Sequence, residues 1–361
     1  MTPRSLGGGW SPPLDEHGPV ATVDVRPSLH RDPTGDRSLI PGPRAGRDDD
    51  APVNLGDGWD GDHPRVGSYR LIRRLGRGSQ GEVWKAVRLE PPVEVVALKV
   101  LSSLGRHDPR KFARFRREAV RGAGLAGRGI LPTYEFGEEG PVAFFAMPLV
   151  EGFTLARVLD QRRRHRAGET PIRWHRLALL PEPLYIDAVA RVLARVARAL
   201  GDVHAARVVH CDVKPANLLL ERGVAGRAYL IDFGLGRDLD AMPASRSRTV
   251  EGTMLYMAPE KLSGYQADEA LCDIYALGVT GFEALALRRP RALPKGLPRP
   301  LWARYLAVAE PPRLRTIVPW LPEDLGAVLE RAMTRDPRRR YQSAVAMAED
   351  LERYLGVAVA R

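Results

Sequence analysis

The segment His210-Cys211-Asp212-Val213-Lys214-Pro215-Ala216-Asn217 sets a carboxylate, an ammonium and an amide within eight residues. Asp212 can accept the hydrogen bond and the proton of a substrate hydroxyl. Lys214, two residues on, can neutralise charge on a phosphoryl group in transfer. Asn217 can ligate Mg²⁺ through its amide oxygen. Fifteen residues later comes Asp232-Phe233-Gly234, in which Asp232 offers a second hard oxygen ligand. One base and two metal ligands at this spacing are hard to obtain by chance, and the chemistry they share is phosphoryl transfer.

Two further groups lie upstream. Gly76-Arg77-Gly78-Ser79-Gln80-Gly81-Glu82-Val83 joins two strand-like runs. Glycines there let a turn bring backbone N–H groups close to phosphate oxygens. On its own the segment reads equally well as a plain glycine hairpin. A dinucleotide site would need a helix next, and Glu82 to Leu89 has the pattern of a strand. Lys99 ends the apolar run Val96-Ala97-Leu98 and can reach α- and β-phosphates if a carboxylate holds it. Glu118, in Phe115-Arg116-Arg117-Glu118-Ala119, is the natural partner. A lone Lys and Glu are ordinarily surface residues, so their weight comes from the order of the motifs.

These groups need elements to position them. From Tyr69 the pattern gives strand-like runs at Tyr69 to Leu75, Gly81 to Leu89, Val93 to Val100, Ile130 to Glu138 and Val142 to Met147. One helix, about Lys111 to Leu125, interrupts them: a small, mostly antiparallel sheet with one helix. After Gly152 the chain reads as mainly helical. Ile186, Val189, Ala190, Leu193, Val196, Ala197, Leu200 and Val203 form a 3.6-residue stripe over Leu184 to Ala206. Later helices are expected over Asp268 to Leu287, Pro322 to Thr334 and Ser343 to Tyr354. The stretches Arg162 to Pro183 and Asp238 to Glu251 are expected to be mobile loops. Residues 1–65 are rich in Pro, Gly and Asp, bury too little apolar surface to offset ordering entropy, and read as a disordered tail.

The ordered set of glycine loop, lysine, helix glutamate, His-x-Asp-x-Lys-x-x-Asn, Asp-Phe-Gly and Ala258-Pro259-Glu260 resembles the eukaryotic-like (Hanks-type) bacterial serine/threonine protein kinases. The resemblance covers about residues 66–356. It implies an α+β, bilobal protein-kinase fold, with a small β lobe over 66–149 and a larger helical lobe over 150–356. It implies ATP and Mg²⁺, with Mn²⁺ as an alternative, and protein substrates that include the kinase itself. Gly76, Gly78 and Gly81 then belong to the phosphate loop. Val83, Ala97 and Leu219 sandwich adenine, Met147 is the gatekeeper, and Pro148 and Val150 are the hinge. Proline suits the first hinge position, because the group used there is its carbonyl. By the same resemblance Glu260 pairs with Arg340, Asp273 holds the catalytic loop backbone, and Thr253 bridges Asp212 and Lys214. Lys214 together with Gly252-Thr253 implies serine/threonine preference. Ser245, Ser247 and Thr249 are the candidate phosphosites.

One position departs from the family. Cys211 stands where many members carry an arginine that clamps a phosphorylated activation loop, and a thiol cannot do this. Less dependence on loop phosphorylation is the expectation. With Cys272 it is one of only two cysteines, too few for a disulfide framework, which points to a reducing, cytoplasmic setting. No run of about 18 apolar residues suggests a membrane span. The net charge of +11 is unevenly placed, about −5 over residues 1–64 and +16 beyond. No aromatic-plus-basic array of the RNA-reading kind accompanies it, so nucleic acid is not expected as a partner. Self-association is left open. A catalytically silent relative would not need the complete set of base, lysine and metal ligands, and small-molecule kinases of similar fold usually lack the Asp-Phe-Gly and Ala-Pro-Glu segments.

Overall fold

The apolar run Val95–Leu101 is a strand buried on both faces. Val96, Leu98 and Val100 point one way; Ala97, Lys99 and Leu101 point the other. The computed structural model describes residues 64–78, 81–101, 107–125, 129–169, 175–222, 227–233, 237–238 and 251–356. Ser79, Gln80, Gly234, Ser245, Ser247 and Thr249 lie outside them, as do residues 1–63. Six antiparallel strands, β1 (Arg65–Val66), β2 (Tyr69–Gly78), β3 (Gly81–Arg88), β4 (Val95–Leu101), β5 (Glu135–Glu139) and β6 (Val142–Pro148), form a sheet in the order β1-β2-β3-β4-β6-β5. Strand β1 thus starts inside the stretch read as tail, because Arg65 and Val66 pair with Arg70 and Tyr69.

One face of this sheet closes on itself. Tyr69, Leu71, Ala86, Val96, Leu98, Val100, Phe144 and Ala146 form a small core there. The other face receives helix α1 (Pro109–Gly124). Phe115 of α1 lies 5.0 Å, ring to ring, from Phe145 and is packed with Leu101, Ala119 and Ala143. The helix begins two residues before the expected Lys111. Asp108 caps it by accepting from the N–H groups of Arg110 (3.0 Å) and Lys111 (3.3 Å), and Pro109 sits where no N–H is needed.

Strand β5 is shorter than the Ile130 to Glu138 run suggested. Pro132 has no N–H to give a ladder, and Ile130 forms an isolated parallel bridge with Leu230 instead. That bridge, with Leu230 N–H donating to Gly129 O at 2.8 Å, ties the α1–β5 connection of the small lobe to the large lobe.

The large lobe is built on α2 (Leu155–Arg166), α3 (Glu182–Ala205), α4 (Glu269–Ala286), α5 (Glu323–Ala332) and α6 (Ala344–Tyr354). All eight stripe residues of α3 are buried. Gly281 lets α4 approach α3, since a Cβ there would lie 2.8 Å from Leu193 Cδ1. Asp268 and Ser343 cap α4 and α6 with their side chains.

The expected loop from Arg162 is partly wrong. Residues 162–166 complete α2, and Arg176–Leu179 is a further helical turn. Arg162 is only 4% exposed, with its guanidinium over the Tyr185 ring at 4.2 Å and bonded to Ala178 O and Glu182. An arginine used as a core residue defeats a reading that equates basic with solvated.

Two small sheets set the catalytic segments. β7 (Gly152–Thr154), β9 (Leu218–Glu221) and β10 (Ala228–Leu230) form one, and β8 (Val208–Val209) pairs with β11 (Arg237–Asp238). Residues 210–217 run from β8 to β9, and Asp232 follows β10. Among the described residues, no helix is long and apolar enough to cross a membrane.

Candidate active site

Cross-strand register brings the upstream groups together. Val83 lies opposite Lys99, and Ala97 opposite Met147. In an antiparallel sheet such pairs share a face, so Val83, Ala97, Lys99 and Met147 all look toward the side that α1 covers. Pro148 pairs with Val96 at the end of β6, Val150 follows it half-buried, and Leu219 sits half-buried on β9 across from Thr154 and Tyr229. Gly76 and Gly78 end β2, and Gly78 pairs with Gly81 to close the hairpin. Gly81 has φ of 126°, and a Cβ on it would lie 2.1 Å from Val100 O, so no other residue fits.

Lys99 Nζ donates to both carboxylate oxygens of Glu118, at 2.6 and 2.7 Å. The pair is buried. Burial pushes the Glu118 carboxyl up to about 7; the Lys99 ammonium pulls against this, and the negative charge of Asp232 adds to it. Asp232 and the Lys99–Glu118 pair thus lie within electrostatic reach of each other.

The downstream segment is held by a buried acid. Asp273 accepts from the N–H groups of His210 and Cys211, both at 2.8 Å, and lies 3.1 Å from His204 Nε2. Burial alone would raise its pKa, but the His204 hydrogen bond, the histidine charges and the His210 amide outweigh it and hold it below the usual range. Those contacts fix a bend in which Cys211 has φ of 65°. Asp232 has φ of 67°, a second left-handed non-glycine residue of the kind that clusters at working sites. His210 Nε2 lies 3.1 Å from Ile231 O, and its ring meets Phe233 edge-on at 4.7 Å. The loop and the Asp232 segment therefore brace each other.

Asp212, Lys214, Asn217 and Thr253 converge. Lys214 Nζ donates to Asp212 Oδ1 (2.9 Å) and Oδ2 (2.8 Å), and to Thr253 Oγ1 (3.0 Å). Asn217 Nδ2 donates to Asp212 O (2.8 Å) and Oδ2 (3.1 Å). The bridge expected of Thr253 is thus one-sided: its hydroxyl meets Lys214, and among the described residues no hydrogen bond links it to Asp212.

Commitment of the Asn217 NH₂ to Asp212 leaves its amide oxygen as a hard ligand. With the Asp232 carboxylate this makes two oxygen donors. No cluster of three or more His, Cys, Asp or Glu able to hold a metal occurs among the described residues. Two oxygens completed by phosphate and water suit Mg²⁺ and suit softer metals poorly.

Farther out, Arg340 donates all five guanidinium N–H groups. It meets Glu260 Oε1 (2.7 Å) and Oε2 (2.8 Å), Thr334 O, Leu271 O and Arg335 O, at 1% exposure. Cys272 Sγ lies 3.5 Å from Glu260, and burial pushes its thiol far up, away from reactivity. The reading from sequence missed Lys261 and Glu269. Cys211 Sγ is 3.7 Å from Glu269 Oε2, and Glu269 binds Lys261. A cation thus sits beneath the loop although position 211 lacks one. Lys261 follows the Ala-Pro-Glu motif directly, which was the available signal.

A sequence profile described as the protein kinase domain matches residues 69–349. Serine/threonine-protein kinase PknA of Mycobacterium tuberculosis is 35% identical over 298 residues, covering 79% of this chain and 62% of that protein. Serine/threonine-protein kinase PknD of Chlamydia pneumoniae is 30% identical over 310 residues, covering 80% of this chain and 31% of that protein. The chain therefore spans less than two thirds of these relatives' lengths. The solved kinase domain of Mycobacterium tuberculosis PknI superposes with a TM-score of 0.56 at 27% identity, covering 83% of this chain and 99% of that domain.

Proposed function

The chain belongs to the protein kinase family, in its bacterial Hanks-type serine/threonine branch, and from that premise we propose that it transfers the γ-phosphoryl group of ATP, with Mg²⁺, to serine and threonine hydroxyls of proteins, itself included. The catalytic domain in this reading covers residues 66–356, with the lobes meeting near 149–150. The observation that carries it is the convergence of Lys214 and Asn217 on Asp212, with Thr253 accepting from Lys214, while Glu118 holds Lys99 by two bonds.

In-line transfer through a loose transition state asks for positioning and charge stabilisation. Asp212 orients the acceptor hydroxyl and takes its proton. Lys214, already on that carboxylate, offsets charge on the moving phosphoryl group. Lys99, aligned by Glu118, holds the α- and β-phosphates. Mg²⁺, held by Asn217 and Asp232, would supply charge neutralisation on the phosphate oxygens. Val83, Ala97, Leu219, Met147, Pro148 and Val150 form the adenine site. Ser245, Ser247 and Thr249 are the proposed sites of self-phosphorylation.

The test is radiolabel transfer from γ-labelled ATP to the chain and to a generic basic acceptor, wild type beside Asp212→Asn. The variant is expected to lose about 10²–10⁴ in rate. Equal incorporation in both would remove Asp212 as the base, and none in either, with nucleotide bound, would make the chain a nucleotide-binding module.

A further inference from the structure

The helix that carries Glu118 has an outer face that phosphoryl transfer does not use. α1 holds Arg110, Lys111, Arg114, Arg116, Arg117 and Arg121, and its one acid is Glu118, turned inward to Lys99. Arg110, Lys111, Arg116 and Arg117 are exposed, and none pairs with a carboxylate among the described residues. Arg114 Nε is buried without an acceptor among them. Val120, 62% exposed, lies on the outer face with Arg110, Arg116 and Arg117, whereas Lys111, seven residues before Glu118, lies on the inward stripe. A solvated helix face ordinarily mixes both signs. The Asp108 cap is the one carboxylate at the start of the helix, its first turn adds none, and Arg110 opposes the helix dipole. An anionic cover would relieve both.

The same chain carries the complement. Residues 48–62 contain Asp48, Asp49, Asp50, Asp57, Asp60 and Asp62 and no lysine or arginine, with Val53, Leu55 and Trp59 among them. The stretch ends just before Pro64, whose carbonyl accepts from Leu71 N–H at the start of the sheet. From β1 to β4 is three strand spacings, roughly 14 Å, and a packed helix adds about 10 Å. The chain from residue 50 to 64 reaches about 46 Å when extended. We propose that residues 48–62 dock on the basic outer face of α1 as an acidic intramolecular ligand. Its bearing on the Lys99–Glu118 clamp rests on the kinase reading, whereas the docking itself does not.

Carbodiimide cross-linking of the full chain carrying Arg117→Lys tests this, because the change keeps the charge and puts an amine on the outer face, and the reagent joins an amine to a touching carboxylate while taking up one water. Peptide mapping is expected to find the amine introduced at position 117 joined to an aspartate of 48–62 within one chain. The product should fall about tenfold near 1 M salt and in the full-length variant with all six aspartates changed to asparagine. Amide exchange over α1 should quicken about fivefold in that variant. Absence of the product, with α1 exchange the same in both proteins, overturns the proposal. A product found only between two chains also overturns it, by making a second copy the occupant. So does α1 protection that arises only when anionic vesicles or duplex DNA are added. None of these readings involves phosphoryl transfer, so an inactive kinase would leave them unchanged.

Discussion

At the scale of single residues, Glu118 joins structure to pH. Its carboxyl titrates at about 7, well above the ordinary glutamate range, because it is buried. The folded chain therefore keeps a proton that the unfolded chain releases near pH ~4.3. The contribution of this group to stability is full at acid pH and is lost as pH rises through about 7. The ionised Lys99–Glu118 clamp follows the opposite course and accumulates above about 7. Phosphotransfer is thus expected to rise through that pH while thermal stability contributed by Glu118 falls. Glu118→Gln should flatten both profiles at low activity, and rate and melting profiles from roughly pH 5.5 to 9 check this. Cys211 gives a second expectation. Cys211→Arg adds a guanidinium beside Glu269 and should create about tenfold activation by loop phosphorylation that the wild type lacks. Assays before and after phosphatase treatment decide it. Asp212, Lys214 and Asn217 were legible in the sequence because they sit within six residues of each other. Glu269 and Lys261 were not, since only folding brings them under Cys211.

At the scale of elements, legibility followed periodicity. The α3 stripe announces itself because it buries one face at a 3.6-residue period, and β4 shows as an apolar run because both its faces are buried. α2 hid behind Arg162 to Arg166, whose charges mask a helix in which Arg162 serves as core. The capped start of α1 hid behind Pro109, which looks like a breaker and acts as a first-turn residue. Aim matters most in α1, since Glu118 reaches Lys99 only if the helix is seated. Phe115 does the seating, fully buried against Phe145 and Phe136. Phe115→Ala should cost about 3–5 kcal/mol of stability. It should also lower kcat more than a surface change of equal stability cost would, because the clamp loses its support. Phe115→Leu, which refills most of the volume, is expected to recover most of both. Denaturant unfolding beside steady-state kinetics separates the two effects, and stability loss with unchanged kcat would detach α1 seating from catalysis.

At the scale of the whole molecule, Arg340 and Glu260 join segments 80 residues apart in sequence. The sequence motif names the partners but not the reason for arginine, which is the count of donors. Five N–H groups meet two carboxylate oxygens and three backbone carbonyls, and the guanidinium also stacks over Tyr275 at 4.8 Å. Lysine has three donors and no planar fork, so Arg340→Lys keeps the charge and still strands buried acceptors. A loss on the order of 3 kcal/mol follows, or roughly 6–12 °C in Tm for a domain of this size. Glu260→Gln, by leaving a buried cation uncompensated, should cost at least as much. Because Glu260 lies in the first turn of the short helix Pro259–Leu262, seven residues after Thr253, the same lesion reaches Lys214 and so Asp212. Arg340→Lys is therefore expected to lower Tm and phosphotransfer together, by calorimetry and radiolabel assay. A fall in transfer with Tm intact would instead make the pair a positioning device for the segment that ends at Glu260, with the lobe's stability carried by the α3–α4 core alone.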